Sequence, residues 1–298
     1  MSIFRGSATA VITPFRREDQ ALDFDAFADI IDQQISGGTD ALVVCGSTGE
    51  AATMTEKEHM DTVRFCIEYT KHRLPVIAGT GSNCTATAAS LTRQAADMQA
   101  DAVLVITPYY NKATQNGLVA HFETVAKAAG STPLIIYNVP SRTGCNILPE
   151  TVAKLVKEVP NIVGIKEASG NLSQIGHLMA LTDGNIELYS GNDDQTVPIL
   201  SVGGLGVISV VANVAPKAMH DMCAKFFAGD IAGAAELQRA IDPLFNCLFS
   251  EVNPIPVKAA MNMLGLKAGV MRLPLTEMEP EHAAKLRQAM IDFGLRLA

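Results

Sequence analysis

Lys166 closes the apolar run Ile162-Val163-Gly164-Ile165 and is followed at once by Glu167-Ala168-Ser169-Gly170. Taking an ammonium out of water costs far more than taking a methyl group, unless the charge is paired or neutralised. Two chemistries would answer that cost. Desolvation penalises the charged form, so a lysine in an apolar pocket shifts toward the neutral amine. Such an amine attacks a ketone and forms a Schiff base. The iminium then withdraws electrons from the neighbouring carbon, which loses a proton to leave an enamine. Moving that proton needs a positioned hydroxyl, and Tyr137 and the Ser47/Thr48 pair could supply one. The other answer is structural, an ion pair between Lys166 and a carboxylate such as Glu50 or Glu167. Strand position alone leaves both open.

Further candidates surround this lysine in sequence. Arg142 lies in the loop Val139-Pro140-Ser141-Arg142-Thr143-Gly144, and its planar fork suits a carboxylate-bearing ligand. Four of the five tyrosines (Tyr109, Tyr110, Tyr137 and Tyr189) fall at the ends of apolar runs. The turns at 79–83 (GTGSN) and 203–206 (GGLG) resemble phosphate cradles but lack the complete fingerprint. Asn192-Asp193-Asp194-Gln195-Thr196 has divalent-metal chemistry, yet no second carboxylate cluster accompanies it, and a capped helix start fits better. No metal and no cofactor is expected.

The elements that must position these residues are legible as a repeat. Short apolar, β-branched runs occur at 7–13, 41–45, 75–79, 102–107, 133–138, 162–166, 186–190 and 206–210. Near-continuous apolar runs of this length suit strands covered on both faces, as in a parallel sheet. Helical spacing fills the gaps. Phe24, Phe27, Ile30, Ile31 and Ile35 share one face, stopped by Gly37-Gly38. Thr55 and Glu58 form a capping box, and Pro149 suits a helix's first turn. Strand-then-helix units repeated in this way predict a (β/α)8 TIM barrel over residues 1–225. A doubly wound open sheet is the alternative. Helices expected at 217–228, 231–250, 255–265 and 280–296 supply the last barrel helix and a C-terminal helical extension over 226–298.

Composition narrows the function. The chain has 298 residues, 48% of them hydrophobic, and a net charge of −8 with no basic run, so neither nucleic acid nor an anionic membrane surface is an expected partner. The uncharged stretch from Gln195 to Pro216 has membrane-spanning length, but Pro198 and the glycine cluster break it, and a strand-loop-strand passage inside a barrel is expected instead. The N-terminal residues do not form a signal peptide. Six scattered cysteines without metal spacing read as reduced cytosolic thiols.

The segments GSTGE (46–50), TPYYN (107–111), YNVPSRTG (137–144), GIKEASG (164–170), GVISV (206–210) and NPIPVKAAM (253–261) follow one another in order. Together they resemble the dihydrodipicolinate synthase family, within the pyruvate-dependent class I aldolase superfamily that also holds N-acetylneuraminate lyase. The resemblance spans essentially the whole chain. It implies a cytoplasmic lyase, a homotetramer built as a dimer of tight dimers, that condenses pyruvate with L-aspartate 4-semialdehyde on the route to diaminopimelate and lysine. Lys166 would then form the Schiff base and Tyr137 would be the general acid/base. Ser47, where many members have threonine, would link Tyr137 to a Tyr110 that reaches into the neighbouring subunit's site. Thr48 would hold the pyruvate carboxylate, with the backbone of Gly191 and Ile208 lining the pocket, and Arg142 would bind the semialdehyde's carboxylate. Neuraminate lyases usually lack this arginine; they and aldolases of the 4-hydroxy-2-oxoglutarate type form the alternative.

The resemblance also implies an effector pocket that binds lysine in inhibited members, here at Ala51, Glu56, His59, Asn83, Thr87 and Tyr109. His59, Asn83 and Tyr109 match the inhibited pattern. Glu56 stands where those members have histidine, and Thr87 where they have glutamate. Losing the anionic partner at Thr87 implies weak or absent feedback, although Glu56 adds a charge nearby.

Overall fold

Eight short runs dominated by apolar and small residues become the strands of a computed structural model that describes residues 2–298. They are β1 (Gly6–Ala10), β2 (Ala41–Val44), β3 (Val76–Gly79), β4 (Ala102–Ile106), β5 (Leu134–Asn138), β6 (Ile162–Glu167), β7 (Glu187–Ser190) and β8 (Gly206–Ser209). Neighbours pair in parallel in sequence order, and β1 pairs β8 to close the barrel. That closure excludes the open-sheet alternative. At the seam Gly6 pairs with Gly206, where a side chain on Gly206 would strike the Gly6 carbonyl.

Because side chains alternate across a strand, the barrel has two apolar layers. The interior packs Ala8, Ala41, Ile77, Ala102, Ile135 and Tyr189, small residues against large ones. The outer face meets the helices, where residues such as Leu42, Val103 and Ile136 pack against Phe27, Phe122 and Leu155. Strands covered on both sides have no solvent face, which is why their sequences do not alternate.

The barrel helices are α1 (Phe24–Ser36), α2 (Glu56–Thr70), α3 (Thr85–Asp97), α4 (Gln115–Ala129), α5 (Pro140–Thr143), α6 (Pro149–Glu158), α7 (Leu172–Leu181), α8 (Thr196–Ser201) and α9 (Pro216–Phe227). The capping box at the start of α2 is present in full, with Thr55 and Glu58 each bonding the other's backbone. α1 buries Phe27, Ile30 and Ile31 and ends at Gly37. The uncharged passage after β7 is more structured than its sequence suggests. Pro198 lies in the first turn of the short helix α8, where a missing N–H costs nothing. No helix among the described residues is long and apolar enough to cross a membrane.

Three helices follow, α10 (Ile231–Leu248), α11 (Ile255–Met263) and α12 (Pro280–Asp292). The last two end two to four residues earlier than their apolar spacing predicts, close to the left-handed glycines Gly265 and Gly294. The residues between α10 and α11 turn back over the C-terminal mouth of the barrel.

Candidate active site

β5 and β6 run side by side, and their register sets Tyr137 opposite Lys166. Both side chains point into the barrel at its C-terminal end. The Lys166 amine stands 4.3 Å from the centre of the Tyr137 ring. The strand ends are pinned from behind by Asn138, which donates to both carboxylate oxygens of Glu167 at 3.1 and 3.2 Å. Glu167 also accepts from the Ser169 N–H at 2.8 Å. Alternation therefore sends Glu167 outward and Lys166 inward.

Neither carboxylate expected from the sequence reaches Lys166. Glu167 is engaged as above, and Glu50 pairs instead with Lys258 at 2.6 Å, both side chains wholly buried. No ion pair holds Lys166 among the described residues. Its burial, only 5% exposed, lowers its pKa to about 8, with the Asp193 charge opposing the shift and the Arg142 guanidinium adding to it. Burial also pushes the Tyr137 hydroxyl up to about 12, so it stays protonated at neutral pH. An amine that gives up its proton near pH 8 thus sits beside a phenol that keeps its own.

Lys166 and Tyr137 open into a cavity of about 470 Å³ whose lining includes Ser47, Thr48, Arg142 and Gly191. Ser47 and Thr48 arrive on the tight turn after β2, closed by the Glu50 N–H donating to the Ser47 carbonyl at 3.1 Å. Arg142 comes from α5, a single turn begun by Pro140 inside what the sequence presents as a loop. Gly191 is needed for space: a Cβ there would stand 2.6 Å from the Ala168 Cβ and 3.1 Å from the Lys166 Cε.

Several expected placements are not met. Ile208 buries its side chain in the barrel interior beneath the cavity, and just after β8 it is Val210 that lines the wall. Tyr189 is opposite Lys166 on β7, yet its hydroxyl lies 3.0 Å from the Phe4 carbonyl and 2.7 Å from Glu187, at the barrel floor. No hydrogen bond joins Ser47 to Tyr137. Tyr110, expected to serve a neighbouring subunit's site, is 90% exposed with a left-handed backbone and is outside this chain's own cavity. The Asn192–Thr196 segment is a helical turn whose buried Asp193 accepts from the N–H groups of Val210 and Val211 at 3.0 and 3.3 Å. Among the described residues no group of three or more His, Cys, Asp or Glu could hold a metal ion.

A second cavity of about 510 Å³ adjoins the first and shares Ser47, Tyr137 and Arg142 with it. Ala51, Glu56, His59, Thr87 and Tyr109 line it, whereas Asn83 does not. His59 donates through Nε2 to the Gly79 carbonyl at 2.7 Å, and burial keeps its ring toward the neutral form.

The extension supplies wall residues that composition and spacing did not single out. Phe245, Phe249 and Asn253 line the first cavity. Asn253 opens the motif NPIPVKAAM, its one signal in the sequence.

A closed (β/α)8 barrel, carrying at its C-terminal mouth a buried amine with no carboxylate partner and an arginine free of any ion pair, has the layout of a barrel enzyme that works through a lysine. Comparison with known proteins narrows the class. The chain belongs to the dihydrodipicolinate synthetase family, whose model matches residues 3–292. It is 53% identical over 295 residues to 4-hydroxy-tetrahydrodipicolinate synthase of Lachnoclostridium phytofermentans, covering 99% of this chain and 100% of that relative. The enzyme of the same name from Caldicellulosiruptor saccharolyticus is 50% identical over 297 residues, covering 100% and 99%. Among solved structures, dihydrodipicolinate synthase from Aquifex aeolicus superposes with a TM-score of 0.96 at 42% identity, covering 99% of each chain. The lysine-bound enzyme from Cyanidioschyzon merolae gives 0.96 at 39% identity, covering 99% of this chain and 100% of that one.

Proposed function

We propose that this chain condenses pyruvate with L-aspartate 4-semialdehyde to give 4-hydroxy-tetrahydrodipicolinate, on the lysine and diaminopimelate route. The observation that carries the reading is the Lys166 amine, buried without a carboxylate partner beside Tyr137 in a cavity shared with Arg142. Lys166 Nζ adds to C2 of pyruvate, and the carbonyl oxygen leaves as water to give the imine. Loss of a C3 proton yields the enamine, whose C3 attacks the aldehyde carbon. The aldehyde oxygen takes a proton, which Tyr137 is set to provide as an acid. The semialdehyde's own amine then adds to the imine carbon, closing a six-membered ring and releasing Lys166.

In this reading Thr48 donates to the keto-acid carboxylate. Gly191 contributes room rather than a donor, because its N–H is spent on the Glu167 carbonyl at 2.8 Å. Ile208 serves as floor, and Arg142 grips the semialdehyde carboxylate. Ser47 passes protons between Tyr137 and a Tyr110 brought by a second subunit. The exposed Tyr110 ring and the 76% exposed Leu273 support a tight dimer, assembled in pairs as a cytoplasmic homotetramer. Residues 226–298 act as a helical extension to the 1–225 barrel. At the second cavity, the exchange of glutamate for Thr87 supports weak lysine feedback; strong inhibition by millimolar lysine would overturn that assignment.

Arg142 favours an anionic acceptor over the neutral sugar aldehyde of a neuraminate lyase. Steady-state turnover of aspartate semialdehyde and N-acetylmannosamine, before and after Arg142→Ala, tests the choice. Semialdehyde should be strongly preferred, and Arg142→Ala should erode that preference. Unchanged semialdehyde turnover in the variant would refute it.

A further inference from the structure

Asn253 lies 205 residues from Thr48 in sequence and bonds it directly, its Nδ2 donating to Thr48 Oγ1 at 2.9 Å. Both residues are buried, Asn253 at 6% and Thr48 at 4% exposure. The backbone carbonyl of Asn253 also accepts from Arg142 Nη2 at 3.4 Å. One residue of the extension thus touches both side chains assigned to substrate carboxylates.

The direction of the Thr48 bond matters chemically. A hydroxyl has one proton and two lone pairs. With Nδ2 donating to it, Thr48 Oγ1 spends a lone pair on Asn253 and keeps its proton for another acceptor. The reversed amide would leave a buried NH2 with two unpaired donors, a costlier arrangement than the unpaired Oδ1 present here. A carboxylate is acceptor-only, so a threonine constrained to donate matches it.

The register of the two segments is fixed a few residues further along each. Glu50, at the end of the Thr48 turn, accepts from Lys258 Nζ at 2.6 Å and from the Arg272 N–H at 3.2 Å. Lys258 donates in addition to the Val270 carbonyl at 2.7 Å. Glu50 holds the left-handed backbone that ends the turn, at φ 53°.

We propose that Asn253 is a positioning residue for the keto-acid subsite: it fixes Thr48 as a hydrogen-bond donor to the keto-acid carboxylate, with the Glu50–Lys258 pair setting the register. The inference rests on pyruvate being the substrate that Lys166 captures. It assigns Asn253 no contact with the reacting atoms.

The test is the pyruvate dependence of borohydride trapping without the second substrate, read by intact mass. Asn253→Ala should raise the half-saturating pyruvate concentration about tenfold, the scale of one hydrogen bond to a charged group. Asn253→Asp, which keeps the size of the side chain, should raise it further, with circular dichroism checking that both variants fold. Its carboxylate would take the Thr48 proton and repel the ligand. In a Thr48→Val background, where there is no hydroxyl to orient, Asn253→Ala should add less than about twofold. The proposal is overturned if both Asn253 variants trap pyruvate with parental concentration dependence, or if the Asn253→Ala effect persists undiminished beside Thr48→Val. Failure of the parent protein to trap pyruvate would instead remove the functional reading on which the proposal rests.

Discussion

The Lys166 amine should capture pyruvate with a pH dependence that ordinary lysines cannot show. Only the neutral amine attacks, and its pKa of about 8 leaves roughly one amine in ten neutral at pH 7 and nine in ten at pH 9. The second-order rate of imine formation should therefore rise about tenfold across that interval and level off above it. A lysine at its ordinary pKa would rise about a hundredfold over the same range and keep climbing past pH 10. Rapid-quench borohydride trapping from pH 6 to 10, with pyruvate alone, separates the two. Arg142→Ala should move the midpoint upward, because the guanidinium is one of the charges that lower it. A rate still climbing at pH 10, or a midpoint that falls in Arg142→Ala, would refute the desolvated-amine account.

Stability should record the same strain. Because folding lowers the Lys166 pKa, the unfolded chain holds the extra proton between about pH 8 and 10.5, so the cost of burying this lysine fades as pH rises through that window. Lys166→Met should accordingly raise the melting temperature at pH 7 by several degrees, from about 3 kcal/mol of relieved strain, and the gain should shrink by pH 10. Thermal scans at the two pH values check this. Lys258→Met should do the opposite, costing about 3–5 kcal/mol by leaving Glu50 buried without its counter-charge; chemical denaturation measures that loss. Gly191→Ala should cost about 1–3 kcal/mol through overpacking and slow trapping by displacing the Lys166 Cε, while the same change at the open Gly176 should do neither.

The barrel was legible because burial on both faces leaves a recognisable trace. The runs at 133–138 and 162–166 are the strands Leu134–Asn138 and Ile162–Glu167, so the sequence alone sets Tyr137 and Lys166 at adjacent strand ends. What the sequence hid was long-range pairing and the tier at which an inward side chain sits. Glu50 was an equal candidate for Lys166; its true partner, Lys258, lies 208 residues away, and no local pattern announces a contact at that separation. Tyr189 shared the strand-end position of Tyr137, yet its ring stacks on Phe4 at 4.2 Å and its hydroxyl is drawn down to the floor. Phe245, Phe249 and Asn253 were missed because they belong to the extension and meet the site only after the chain has turned back over it.

The central claim is that Lys166 carries pyruvate as a Schiff base. Incubation with pyruvate and borohydride, followed by intact mass and peptide mapping, measures it directly. The account predicts one reduced pyruvate adduct per chain, on Lys166, and none in Lys166→Met. No adduct, or an adduct on any other residue, would contradict it.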